Sequence, residues 1–213
     1  MMKAADLPTY YNICDILEHN IEPRGDKTAL LSEQGCLTFR EVSEQVNKVG
    51  NALIRSGVKF GECVAILCPD RPEWVSVFFA TAKIGGVALG LNTLLKIDEY
   101  DHILKDARVK ILVVHDSLLA LVEPIIKKQD TLVEVIIVTD SKSTNYTTFT
   151  EWIDRENSEL DPATTHREDF CSLHYSSGTT GMPKGVLHMH KDYPLIAQLS
   201  GVDLFGISEN DRT

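Results

Sequence analysis

The residues best equipped for chemistry sit in one short segment. Ser176-Ser177-Gly178-Thr179-Thr180-Gly181-Met182-Pro183-Lys184-Gly185 holds three glycines, four hydroxyl residues and one lysine in ten positions. These types suit a polyphosphate. Glycine lets backbone N–H groups approach phosphate oxygens without a clashing Cβ. Serine and threonine hydroxyls add donors that follow the phosphates as charge shifts. Lysine supplies a point positive charge, and Pro183 stiffens the exit. Composition alone equally describes a flexible surface loop. A Walker A loop is excluded, because that motif needs lysine directly after its last glycine, whereas Lys184 follows Pro183. No G-x-G-x-x-G dinucleotide fingerprint is present either.

Other chemically capable residues read more plainly. His188 and His190 alternate on an expected strand after the segment, so they should face opposite sides. A metal site would want both on one side, and no metal ligand is assigned. Packing or surface exposure is the expectation for both, with one of them near a pocket as the other reading. Cys171 lies on an expected buried strand and reads as a small core residue. Trp74, Phe78 and Phe79 share an apolar helix and are expected in the core. Asn92 and Leu95 follow a strand end, where loop residues can meet a ligand, and no catalytic role is given to them.

The elements that must position these residues alternate along the chain. Thr28 to Leu31 reads as a strand. Thr38 and Glu41 fit a capping box, and Val42, Val46, Val49 and Leu53 follow at helical spacing. Cys63 to Leu67 is an apolar run too short for a helix. Pro72 opens a mostly apolar helix whose body runs from Trp74 to Ile84, and Gly85-Gly86 ends it. Val87 to Leu91, Ile111 to Val114 and Val135 to Val138 read as strands. Asp98 to Ala107, Ser117 to Lys128 and Thr148 to Asn157 read as helices. Continuous apolar strands alternating with helices predict a mostly parallel α/β sheet covered on both faces. Ser158 to Arg167 is the most linker-like stretch. It divides residues 1–165, a first α/β subdomain, from residues 166–213, a strand-loop-strand and helix beginning a second sheet.

Composition narrows the partners. Lys and Arg number 21 against 31 Asp and Glu, a formal net charge of -10. Such a chain is a poor candidate for nucleic acid or an anionic membrane surface. Hydrophobic residues are 43% and charged residues 24%, ordinary for a globular protein. Five cysteines, none in a C-x-x-C pair, argue against a disulfide framework or a structural zinc site. No signal peptide or membrane span is expected, which points to the cytoplasm.

The order of residues from Tyr175 to Gly185 resembles the phosphate-loop signature of the adenylate-forming (AMP-binding) enzymes, which include acyl-CoA synthetases, peptide-synthetase adenylation domains and luciferase. Leu37-Thr38-Phe39-Arg40-Glu41-Val42, Gly61 to Ile66 and Pro72-Glu73-Trp74 are similar to the family's N-terminal region. Leu91 to Leu95 looks like the acyl-CoA ligase branch. His188-Met189-His190 with Gly206 to Asp211 looks most like benzoate-CoA and related aryl-CoA ligases. The resemblance implies that ATP and a carboxylic acid give an acyl-adenylate and pyrophosphate, and that coenzyme A then displaces AMP, usually with Mg²⁺. It implies that Ser176, Ser177, Gly178, Thr179, Thr180, Gly181 and Lys184 cradle the β- and γ-phosphates. The aromatic-Gly-x-Thr-Glu segment, the ribose-binding aspartate, the hinge and the catalytic lysine of the family do not occur in this sequence. The expectation is therefore an N-terminal fragment of an ATP-dependent carboxylate-CoA ligase that acts on an aromatic acid, the fragment being inactive alone and prone to self-association through an incomplete second sheet. The competing reading is a truncated, non-catalytic module that binds a nucleotide or a partner.

Overall fold

The computed structural model describes residues 6–128, 130–141, 145–176 and 181–211. Two short helices, α1 (Asp15–Glu18) and α2 (Ile21–Arg24), lead into a hairpin of β1 (Thr28–Ser32) and β2 (Gly35–Thr38). Thr38 then starts α3 (Phe39–Arg55) through the capping box its sequence predicts. The Glu41 N–H donates to the Thr38 hydroxyl at 3.2 Å, and the Thr38 N–H donates to the Glu41 carboxylate at 2.8 Å. Val42, Val46, Val49 and Leu53 form the buried stripe of α3.

The rest of the chain builds one seven-stranded sheet. Its strands are β3 (Cys63–Leu67), β4 (Val87–Gly90), β5 (Ile111–His115), β6 (Val135–Thr139), β7 (Thr147–Thr148), β8 (Phe170–Ser176) and β9 (Lys184–Met189). The order is β7-β6-β5-β3-β4-β8-β9, parallel throughout except for the antiparallel β8–β9 pair. Helices α4 (Pro72–Lys83), α5 (Ile97–Asp106), α6 (Asp116–Lys127), α7 (Phe149–Ile153) and α8 (Asp192–Ile196) connect or follow the strands, and a π-helical segment Ala197–Leu204 follows α8.

Two cores flank the sheet because alternate strand residues point to opposite faces. Val64, Ile66, Ala88 and Val113 pack against α3 and α4 through Val49, Leu53, Val77 and Phe78. Ala65, Leu67, Leu89 and Leu112 pack against α5 and α6 through Tyr100, Ile103, Leu104 and Ile125. Strands buried on both sides explain why they read as continuous apolar runs.

Three details differ from the sequence expectation. The strand-loop-strand expected to begin a second sheet continues the first, since β8 pairs in parallel with β4 through Ala88↔Ser172, Leu89↔Leu173 and Gly90↔His174. The open edge of β4 accepts it because Cys171, Ser172 and Leu173 are all buried there. The linker-like stretch is tied down: the Tyr11 N–H donates to Thr165 O at 3.0 Å, and the Ala163 N–H donates to Lys83 O at 2.8 Å. Finally, β2 and the first two helices were not foreseen, being short and weakly patterned.

Candidate functional site

The glycine-rich segment joins β8 to β9. The hairpin register pairs Tyr175 with Gly185 and Ser176 with Lys184. Ser176 closes β8 and Lys184 opens β9, both exposed. Gly181 is exposed and has φ +110°, a backbone conformation that a side chain would strain. Ser177, Gly178, Thr179 and Thr180 lie outside the described residues. The fold thus brings Ser176, Gly181 and Lys184 to one end of one hairpin, beside the carboxyl ends of the parallel strands.

That end of the sheet also carries a cleft. The chain crosses from β3 through α4 to β4 on one side, then through α5 to β5 on the other side of β3. The strand order therefore reverses between β3 and β4, and ligands of open α/β sheets bind in the crevice outside such a switch point. A cleft of about 510 Å³ lies there, lined by Cys68, Asp70, Trp74, Asn92, His174 and Tyr175 among others. Gly90 makes room for its wall, since a Cβ there would come within 3.2 Å of the Trp74 ring. Trp74 stacks on Phe78 with ring centres 5.2 Å apart, so it serves the core and the cleft together. Asn92 holds its own turn by accepting the Leu94 N–H at 2.9 Å.

Sequence reasoning missed the polar cluster behind this cleft. Ser172 and His174 share a face of β8, and Ser172 pairs across the hairpin with His188. The Tyr193 hydroxyl from α8 lies 2.6 Å from the Ser172 hydroxyl and 3.3 Å from His174 Nε2. The His174 and His188 rings meet edge to face at 5.4 Å. Burial first, and then His188, hold the His174 imidazole below its ordinary pKa, which favours the neutral ring. The i, i+2 spacing of Ser172 and His174 was visible in the sequence, but only the hairpin register adds His188.

The remaining candidates fall out clearly. His190 is fully buried, its Nδ1 accepts the Ile13 N–H at 3.1 Å, and burial pushes it down to about 4. His188 instead faces His174 and Asp192, whose carboxylate is 3.7 Å away. Cys171 is buried, and burial pushes its thiol up to about 12, as a core residue requires. Phe78 is buried and Phe79 half-buried, as expected of the apolar helix. No group of three or more His, Cys, Asp or Glu side chains among the described residues could hold a metal ion. No described helix is long and apolar enough to cross a membrane.

A family model described as AMP-binding enzyme matches residues 17–213. The chain belongs to the AMP-binding enzyme family. The benzoate–CoA ligase of Thauera aromatica is 31% identical over 98% of this chain and 40% of its own length. A 3-hydroxybenzoate–CoA/4-hydroxybenzoate–CoA ligase of the same organism is 32% identical over 88% of this chain and 36% of its own. The crystal structure of the anthranilate CoA ligase AuaEII in complex with anthranoyl-AMP superposes with a TM-score of 0.96 and 51% identity, covering 99% of this chain and 41% of that one. A benzoate CoA ligase structure from Burkholderia xenovorans LB400 gives 0.85 and 25%, over 94% and 39%. This AMP-binding chain thus spans about 40% of the length of the curated relatives it matches, in their N-terminal part.

Proposed function

We propose that this chain is the phosphate-loop portion of an ATP-dependent ligase that activates an aromatic carboxylic acid as its adenylate and passes it to coenzyme A. The observation that carries the reading is the Ser176–Gly185 segment, set between β8 and β9 beside the switch-point cleft in a chain of the AMP-binding family. Backbone N–H groups and hydroxyls of Ser176, Ser177, Gly178, Thr179, Thr180 and Gly181 bind the β- and γ-phosphates. Lys184 neutralises charge on them. Holding the departing pyrophosphate lowers the barrier to in-line attack on the α-phosphorus, because charge builds on that group as the bond breaks. Mg²⁺, if carried by the nucleotide, would supply further charge neutralisation for the departing pyrophosphate. The described residues gather no carboxylate or histidine set for it, so no step is assigned to a metal held by this chain.

The aromatic acid is supported by the printed activities of the benzoate, hydroxybenzoate and anthranilate ligases to which the chain is similar. A cytoplasmic setting is supported by five cysteines that are all free. Self-association is supported by the edge strand β9, where Val186 and Leu187 are exposed, and by exposed Leu204 and Phe205 beyond it. The chain alone, lacking adenine, ribose and acyl contacts of the complete enzyme, does not complete the reaction.

The test is a titration of the 213-residue chain with tripolyphosphate and ATP, followed by ³¹P NMR, beside carboxylate-dependent ATP–pyrophosphate exchange. Tripolyphosphate is expected to bind, with Lys184→Ala weakening it about tenfold or more, as the loss of a charge-assisted contact implies. Equal binding by the variant would reject the phosphate role of Lys184. Robust exchange by the chain alone would reject its incompleteness.

A further inference from the structure

Both stems of the Ser176–Gly185 segment touch one helix. On the outgoing stem, His102 Nε2 lies 3.2 Å from Pro183 O. A carbonyl oxygen only accepts, so His102 donates. On the incoming stem, the Tyr175 hydroxyl donates to the Asp106 carboxylate. His102 and Asp106 are four residues apart on α5, which puts them one above the other on one face of the helix. Burial, and then the Asp106 hydrogen bond and charge, push the Tyr175 phenol well above its ordinary range, so it remains a donor.

The stems are also packed against each other beneath this helix. A Cβ on Gly185 would sit 2.9 Å from Leu173 Cδ1 and 3.3 Å from the Tyr175 ring. Glycine at 185 therefore lets the Tyr175 ring close over the facing strand. Pro183 is buried although Gly181 and Met182 before it are exposed.

The helix that grips the stems is itself held. Tyr100, Ile103 and Leu104 are fully buried in the core. The Tyr100 hydroxyl donates to Asn92 O at 2.8 Å, at the mouth of the cleft. Lys105 reaches Asp101 at 2.8 Å and Asp130 at 2.7 Å. Helix α5 thus works as a bar fixed to the sheet, with two polar side chains reaching off one face.

We propose that His102 and Asp106 are positioning residues for the phosphate-binding segment: a two-point clamp that sets the spacing of its incoming and outgoing stems and thereby its affinity for a nucleoside triphosphate. Neither residue is assigned a contact with the nucleotide. The proposal rests on the phosphate reading above and adds two residues, from an element remote in sequence, to its site.

The experiment uses the 213-residue chain and the variants Asp106→Ala, Asp106→Asn, His102→Ala and His102→Gln. Amide hydrogen exchange is read at Tyr175, Ser176, Lys184 and Gly185, tripolyphosphate affinity by calorimetry, and global stability by thermal melting. Both alanine variants are expected to speed stem exchange and weaken tripolyphosphate about five- to tenfold, the size of one lost hydrogen bond. The Asn variant still accepts from Tyr175 and the Gln variant still donates to Pro183, so both restore most of the loss. Unchanged stem exchange in the alanine variants would overturn the clamp, as would equal losses in the Asn and Gln variants. A wild-type chain that binds no tripolyphosphate would overturn the phosphate reading instead, and stem exchange would still report on the clamp.

Discussion

The backbone N–H of Ile13 donates to Nδ1 of His190 at 3.1 Å, across 177 positions of sequence. This bond fastens the N-terminal segment to the residue after β9, and it needs the imidazole to be neutral. Burial pushes His190 from 6.5 down to about 4. The unfolded chain therefore binds more protons between those values. The stabilising contribution is fully present above pH 6.5 and is lost as pH falls towards 4, by up to about 3 kcal/mol. Thermal melts from pH 7.5 to 4.5 should show a falling Tm, with a shallower slope for His190→Gln. Parallel slopes for the two proteins would contradict this assignment.

A second expectation concerns a buried cation. Lys83 is 2% exposed, and its ammonium contacts the Glu18 carboxylate and Asn47 Oδ1, the latter at 2.7 Å. Removing Glu18 leaves that charge poorly compensated, whereas removing both charges does not. Glu18→Ala should cost about 3 kcal/mol in urea unfolding, and Glu18→Ala combined with Lys83→Met should recover most of it. A double variant as unstable as the single one would show that the pair itself, and not the orphaned charge, sets the cost.

Gly181 offers a local test of the phosphate-binding role proposed for its segment. Its φ of +110° strains any residue with a Cβ, although among the described residues nothing lies within 4 Å of the position a Cβ would take. The penalty for Gly181→Ala is therefore conformational, about 1–3 kcal/mol, and confined to the hairpin end. Tripolyphosphate affinity should fall several-fold, and Tm should fall by several degrees, about 2–4 °C per kcal/mol. Wild-type affinity in the variant would detach Gly181 from the binding role.

The edge of the sheet predicts association. Among the described residues strand β9 ends the sheet with one side unpaired, and Val186 and Leu187 are 47% and 46% exposed on it. Light scattering over a concentration series should show growing mass for the wild type, and Leu187→Lys should reduce it. A monomer at every concentration would argue that this edge is already protected.

Much of the fold was legible because its signals are local. The capping box at Thr38 and Glu41, the helical stripe of α3, the proline start of α4 and the apolar runs of β3, β5 and β6 each need only neighbours within a few residues. The glycine, hydroxyl and lysine content of Ser176–Gly185 was likewise local, and its order carried the family. What sequence could not supply was everything set by register. Nothing in the chain before β8 announces that Ser172 will sit beside Ala88 and so extend the first sheet.

The sequence by itself determined the family this chain belongs to, because the residue types of the Ser176–Gly185 segment are contiguous. Only the tertiary structure decided what surrounds that segment. His102 reaches Pro183 from 81 residues away, Asp106 reaches Tyr175 from 69, and His174 meets His188 across a hairpin. Such contacts depend on how a crossover helix lies over a sheet edge and on how two strands align. Those relations are fixed by packing both faces of the sheet at once, and no short window of residues contains them.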